Sequence, residues 1–251
     1  MNPSYQKILQ LWQSFNITTT AQLDARLNSF RVLFAYNSGK IENPETTYYD
    51  TREVFENGKI AGFSGDPITA VEIINQKRVY SFLLPKIIKK EPITMELVKT
   101  VHGLLTMATY DDRRFFELGE RPGEFKKTDF VVGKNEIGSM PGDVPEDIEE
   151  LLDEISHIKP KDAFKSAAYF HGRFENIHPF ADGNGRTGRT MLNYFLLIHN
   201  HPPLIIYEED RMKYYTALEA FDTDENLNPM IEFFHNQLEK TWEKTLSRQG
   251  G

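Results

Sequence analysis

The sequence predicts an all-α fold carrying one small β-hairpin flap. Apolar residues recur at three- and four-residue spacing along most of the chain, the period of a helix with one buried face. Strand-prone residues gather in a single short run, Asp129-Phe130-Val131-Val132, bounded by Gly133. Around that run, residues 119–145 are rich in glycine, proline and charge, which marks a loop between helices.

Taken in order, Ile8, Leu9 and Trp12 mark a short amphipathic helix. Leu23, Leu27, Phe30 and Phe34 share the face of a second one, expected to run on through Ser38 to Glu42. Pro44 ends it by pushing Asn43 out of helical geometry. Residues 51–66 show no clear period and are assigned no element. Helices are expected over 67–84, with Val71, Ile74 and Val79 inward, and over 95–110, with Leu97, Val101, Leu104, Leu105 and Ala108 inward. The 119–145 loop then lays its hairpin, residues 126–133, over a cleft. Helices resume at 145–155 and 162–174. In the latter, Phe164, Ala167, Ala168, His171 and Phe174 share one face, so His171 is read as structural. A helix from about 186 to 199 stops before Pro202-Pro203, and helices over 208–221 and 227–246 close the chain. With no internal repeat or linker, one compact helical domain is expected: residues 1–45 as an N-terminal segment, and 46–251 as the core with its C-terminal helices.

The 251 residues, 39% of them hydrophobic, suffice for a sizeable core. A formal net charge of -8 disfavours direct nucleic-acid binding and docking on anionic membranes. The absence of cysteine removes disulfides, thiolate metal sites and a cysteine nucleophile. The N-terminus lacks the basic-then-apolar pattern of a secretory signal, and no apolar run approaches the roughly 20 residues of a membrane span. The expectation is a cytoplasmic protein.

The densest chemistry lies in His178-Pro179-Phe180-Ala181-Asp182-Gly183-Asn184-Gly185-Arg186-Thr187-Gly188-Arg189. Gly183-Asn184-Gly185 tolerates positive φ and can turn successive amides toward one point. A helix starting at the next residue adds its positive end, which makes an anion nest. Arg186 and Arg189, three apart on the first turn, can reach the same anion. Asp182 beside a phosphate site is repulsive unless a Mg²⁺ ion bridges the two. His178 can take a proton from an attacking hydroxyl. The loop is not a Walker A motif. From the residues alone, the reading is a phosphate site with an adjacent base. A zinc hydrolase built on His171, His178 and Asp182 is the weaker alternative, since no other histidine shows ligand spacing.

The segment resembles the signature of the Fic (filamentation induced by cAMP) family, His-Pro-Phe-x-Asp/Glu-Gly-Asn-Gly-Arg-x-x-Arg, at every specified position. The resemblance implies transfer of AMP from ATP to a Tyr, Thr or Ser hydroxyl of a target protein that the sequence does not identify. It makes His178 the general base and Asp182 the carboxylate that holds Mg²⁺ (or Mn²⁺). It further implies that Gly183, Asn184 and Gly185 cradle the phosphates, that Arg186 neutralises the leaving pyrophosphate and that Arg189 binds the γ-phosphate. Gly185, where a phosphate-transferring branch carries Lys, and Gly183, where a phosphocholine-transferring branch carries Ala, both favour AMP. Ser38-Gly39-Lys40-Ile41-Glu42-Asn43 resembles the family's inhibitory signature, Ser/Thr-x-x-x-Glu-Gly/Asn. Ser38 and Glu42, four apart on a helix, point the same way, and a carboxylate delivered to Arg189 competes with the γ-phosphate. Phe130, Val131 and Val132 would be the target-docking flap, pairing with the target's backbone. Tyr214 and Tyr215 would wall the adenine. The resemblance leaves room for self-modification and for a homodimer. Two other readings stand beside an autoinhibited adenylyltransferase: a hydrolase that removes AMP using Glu42, and a nucleotide-sensing module without turnover.

Overall fold

The computed structural model describes residues 3–60, 65–131 and 138–247, and every helix or strand assigned among them is a helix. In chain order these are α1 (Pro3–Ser14), α2 (Thr20–Arg26), α3 (Asn28–Glu42), α4 (Tyr48–Asn57), α5 (Pro67–Lys89), α6 (Met95–Leu105), α7 (Val144–Ser156), α8 (Ala163–Ile177), α9 (Asn184–Ile198), α10 (Arg211–Asp224) and α11 (Asn228–Ser247).

α9 is the centre. Every one of its residues except Gly185 is buried, so it is enclosed all round where it passes between α8, α6, α5 and α3, with its polar residues mostly in the first turns and its apolar ones from Met191 on. At the other end of the core, α1 lies on α11, where the Trp12 and Trp242 rings meet edge-on at 5.4 Å. Tyr5 of α1 reaches His201 Nδ1 with its hydroxyl at 2.9 Å.

The expected helix through Leu23 and Phe34 is two helices. Leu27 departs from helical geometry at ψ 7°, ending α2 and starting α3. The break leaves the apolar face continuous, with Leu23 and Leu27 both buried, so periodicity alone passes over it. α3 does stop at Glu42, and Asn43 is extended (φ −126°, ψ 106°), the geometry Pro44 requires. α4 occupies part of the stretch to which no element was assigned. Thr47 caps it, accepting a hydrogen bond from the Asp50 amide, and left-handed Gly58 ends it. It buries only Thr51, Val54 and Phe55, too narrow a stripe to read from sequence. α5 runs on through Pro85 to Lys89. α6 stops at Leu105 rather than Tyr110; the Thr106 hydroxyl turns back to the His102 carbonyl.

The expected hairpin, residues 126–133, is not seen among the described residues. Phe130 and Val131 lie in coil, no strand is assigned among the described residues, and Val132 falls outside them. The amides of Lys127 and Thr128 donate to the Glu120 carboxylate, the Lys126 amide to Pro179 O and the Ser139 amide to Ile177 O. These four amides are therefore satisfied by a buried glutamate and by carbonyls at and just beyond the end of α8.

Candidate active site

The last residue of α8 hands directly to the site. His178 ends the helix in the left-handed conformation (φ 50°, ψ 62°), which costs a non-glycine residue about 1 kcal/mol and turns the chain sharply. Phe180 then drops into the core and stacks flat on the His102 ring at 3.6 Å. His102 Nδ1 accepts from the Gly123 amide at 2.9 Å, so Nε2 carries the proton and donates to the Asp182 carbonyl at 2.9 Å. Burial holds this imidazole neutral by lowering its pKa to about 3.

Asn184 closes the loop on itself. Its Oδ1 accepts the Phe180 amide at 2.9 Å and its Nδ2 donates to the Phe180 carbonyl at 2.7 Å. Its side chain thus shapes the loop, and what it offers a ligand is its backbone amide. Gly183 sits at φ 75°, and a Cβ there would collide with Thr106. No side chain caps the first turn of α9, so the amides of Asn184, Gly185 and Arg186 keep their hydrogen-bonding capacity. Asp182 accepts the Gly183 amide at 2.7 Å, and its side chain is 37% exposed.

These groups line one cavity of about 300 Å³: His178, Asp182, Gly183, Asn184, Gly185 and Arg186 on one side, Glu42, Phe130, Val131 and Arg114 around them. Burial first, and then the Lys126 ammonium, push the His178 pKa down to about 4, so the imidazole is a neutral base at physiological pH. Its Nδ1 is buried without a partner, which leaves Nε2 as the nitrogen able to take a proton from the cavity.

Arg189 does not line the cavity. It is 2% exposed and lies beneath Glu42. Its Nε donates to Ser38 Oγ at 3.0 Å, and its Nη2 donates to the Ser38 carbonyl at 3.0 Å and to Glu42 Oε1 at 2.8 Å. A Cβ on Gly185 would collide with both the Glu42 carboxylate and this guanidinium, so the glycine permits the approach. Asn43 is elsewhere: its Nδ2 donates to Thr69 Oγ1 at 2.9 Å and to Glu72 Oε2 at 3.0 Å. Glu72 Oε1 in turn pairs with Arg186 Nη1.

Of the two tyrosines expected at the adenine, Tyr214 is 1% exposed and its hydroxyl lies 2.8 Å from His171 Nε2, in the core behind Arg189. It cannot wall an open pocket. Tyr215 is half-exposed and does not border the cavity. His171, with Nε2 engaged by Tyr214, is unsuited to share a metal with His178, and no group of three or more His, Asp or Glu among the described residues is placed to hold one.

Sequence reasoning passed over three groups. His102 announces itself only as a histidine on the apolar face of α6. Glu72 is an ordinary acidic residue of α5. Glu175, one turn before His178 and beside Arg189, has its carboxyl pushed up to about 8 by burial; its Oε1 takes no hydrogen bond among the described residues and lies 3.9 Å from His171 Nε2. A glutamate three residues before the motif was the sole trace of it.

Residues 92–196 match the model of the Fic/DOC family, a span that contains the whole loop, α6, α8 and most of α9. The chain belongs to the Fic/DOC family. Its Fic core extends into curated relatives: it is 30% identical over 210 residues to the protein adenylyltransferase Fic of Drosophila erecta, covering 82% of this chain and 40% of that one. It is 35% identical over 125 residues to the protein of the same name from Aedes aegypti, covering 47% and 24%. The chain thus spans well under half the length of the curated relatives it matches. The same fold is present in a Fic domain containing signaling protein from Bacteroides thetaiotaomicron (TM-score 0.78, 22% identity, 95% of this chain and 93% of that one). Fic-1 (aa134–508) from C. elegans also shares it (TM-score 0.78, 21% identity, 98% and 72%). No described helix is long and apolar enough to cross a membrane.

Proposed function

We propose that this Fic protein is an autoinhibited protein adenylyltransferase, which transfers AMP from ATP to a Tyr, Thr or Ser hydroxyl of a target protein and releases pyrophosphate. One observation carries the reading: Glu42 lines the same cavity in which the His178 base and the uncapped amides of α9 converge, and it holds Arg189 beneath it. The curated relatives named adenylyltransferases support the direction of the chemistry.

In this reading the amides of Asn184, Gly185 and Arg186 receive phosphate oxygens at the positive end of α9. The target hydroxyl gives its proton to His178 Nε2 while its oxygen bonds the α-phosphorus. The bond from that phosphorus to the bridging oxygen breaks, and pyrophosphate leaves with the electron pair, its charge met by Arg186. The site fits a divalent cation of the kind held by one carboxylate plus phosphates, because Asp182 lies beside the α9 amides and keeps an exposed face, while Glu42, the other cavity carboxylate, is paired with Arg189. Asp182 would hold a Mg²⁺ (or Mn²⁺) ion there, which would supply positive charge to the phosphates. Phe130 and Val131, at the cavity mouth, are suited to meet the target's side chain. Residues 1–45 act as the restraining segment of the core. While Glu42 occupies Arg189, the γ-phosphate lacks its cation and the α-phosphate is not in line with the base.

The test is transfer of label from α-³²P-ATP to the protein itself and to lysate proteins. Glu42→Gly raises labelling, and His178→Ala in that background removes it; equal labelling of all three proteins rejects the reading. A second reading has one observation in its favour. Glu42 Oε1 is taken by Arg189, while Oε2 takes no hydrogen bond among the described residues, and Glu42 lines the same cavity as His178. It could hold a water for removal of AMP. Release of AMP from a modified target by wild type, lost in Glu42→Ala, identifies that reaction.

A further inference from the structure

We infer that Glu72 is a positioning residue for Arg186, and that through Asn43 it ties the set of that guanidinium to the end of the inhibitory helix α3. The inference rests on the proposed function for its setting and goes beyond it in assigning a residue outside both motifs.

Arg186 and Glu72 are 114 positions apart, yet their side chains are only 5% and 14% exposed and meet directly. The carboxylate is spent on two donors: Oε1 on Arg186 Nη1, Oε2 on Asn43 Nδ2. Arg186 has no comparable second anchor. Among the described residues its Nε is buried without a hydrogen-bond partner, and the next carboxylate, Asp182, is 3.7 Å from Nη2. One bond therefore decides where this guanidinium points. Without it, the nearest attraction draws Arg186 onto Asp182, away from the leaving group and onto the carboxylate a divalent cation needs.

Glu72 could in principle compete with phosphate, as Glu42 does for Arg189. The placement argues otherwise. Glu42 itself lines the cavity; Arg186 lines it, but Glu72 does not. Glu72 holds Arg186 from behind and leaves its cavity edge free. Asn43 adds the coupling. It is the residue that ends α3, directly after Glu42, and its amide reaches Thr69 and Glu72 on α5. When the end of α3 shifts to withdraw Glu42, Asn43 moves with it, and Glu72 loses one of the two bonds that orient it.

The experiment measures pyrophosphate and ATP binding by calorimetry, without turnover, in the Glu42→Gly protein and with Glu72→Gln or Asn43→Ala added. Glu72→Gln is expected to weaken pyrophosphate about tenfold, the scale of one charge-assisted hydrogen bond. Asn43→Ala is expected to weaken it about threefold, as one neutral-donor bond to a carboxylate permits. Combined, the two are expected to do no more than Glu72→Gln alone, because they act along one chain. Unchanged affinity in both, simple addition, or tighter binding in Glu72→Gln overturns the assignment; the last would make Glu72 a second competitor. Should Glu72→Gln fail to fold by its thermal transition, the Asn43→Ala arm decides alone. Binding that follows this pattern in a protein that never transfers AMP rejects the transferase reading and leaves the Glu72 assignment standing.

Discussion

Two helices approach the first turn of α9 from different sides, and each brings a glutamate to an arginine. On the α3 side, Glu42 lines the cavity and reaches down to Arg189 beneath it, where the proposed function has it stand in a phosphate's place. On the α5 side, Glu72 reaches Arg186 from outside the cavity, and the guanidinium stays open to it. The pairs are chemically alike. Their difference is which partner faces the ligand, so an ion pair beside an active site is classified by its position relative to the cavity and not by its distance.

The harshest challenge to this contrast is to remove the chemistry both pairs serve. His178→Ala in the Glu42→Gly background is expected to lower AMP transfer about a thousandfold, the range for a lost general base. A loss below tenfold in initial-rate assays would move the reaction elsewhere. Next in size is Glu42→Gly itself. Freeing Arg189 from one charge-assisted bond should raise transfer by roughly one to two orders of magnitude. A fall in transfer would place Glu42 with Glu72 as a support.

The pH profile sharpens the comparison further. With its pKa lowered to about 4, the imidazole of His178 is already neutral at pH 5.5, where an ordinary histidine near 6.5 is about nine-tenths protonated. The lowered value means the base is active above about pH 4 and lost below it. Transfer at pH 5.5 by Glu42→Gly should then stay within about twofold of its value at pH 7. A tenfold fall on that interval would show an unshifted histidine. The smallest effect belongs to Ser38→Ala. It removes one acceptor of Arg189 and leaves the Ser38 carbonyl and Glu42 in place, so activation of about threefold is expected in the otherwise wild-type protein.

What could be read from the sequence follows from how far apart the cooperating groups lie. The loop from His178 to Arg189 was legible because its chemistry is consecutive, and Ser38 with Glu42 because a helix brings i and i+4 together. Glu72 was not, since nothing along α5 marks the one acidic residue that meets Arg186. His102 reads as one more residue on the apolar face of α6, although its two ring nitrogens bridge Gly123 and Asp182. The helices of the core declared themselves by their period. α4 did not, with three buried positions, and the break at Leu27 left no gap in the apolar face. The flap expectation rests on the strand propensity of Phe130, Val131 and Val132, which supplies no pairing partner by itself; of these, Phe130 and Val131 lie in coil and Val132 is outside the described residues. Tyr214 was misjudged because an aromatic at a pocket wall and one in the core look the same in a string of letters.

The residue that terminates α8 is also the proposed proton acceptor. Adding or deleting one amino acid within that helix would swing the imidazole about 100° around the axis and move it about 1.5 Å along it. α8 therefore behaves as a ruler whose last graduation is its reactive tip.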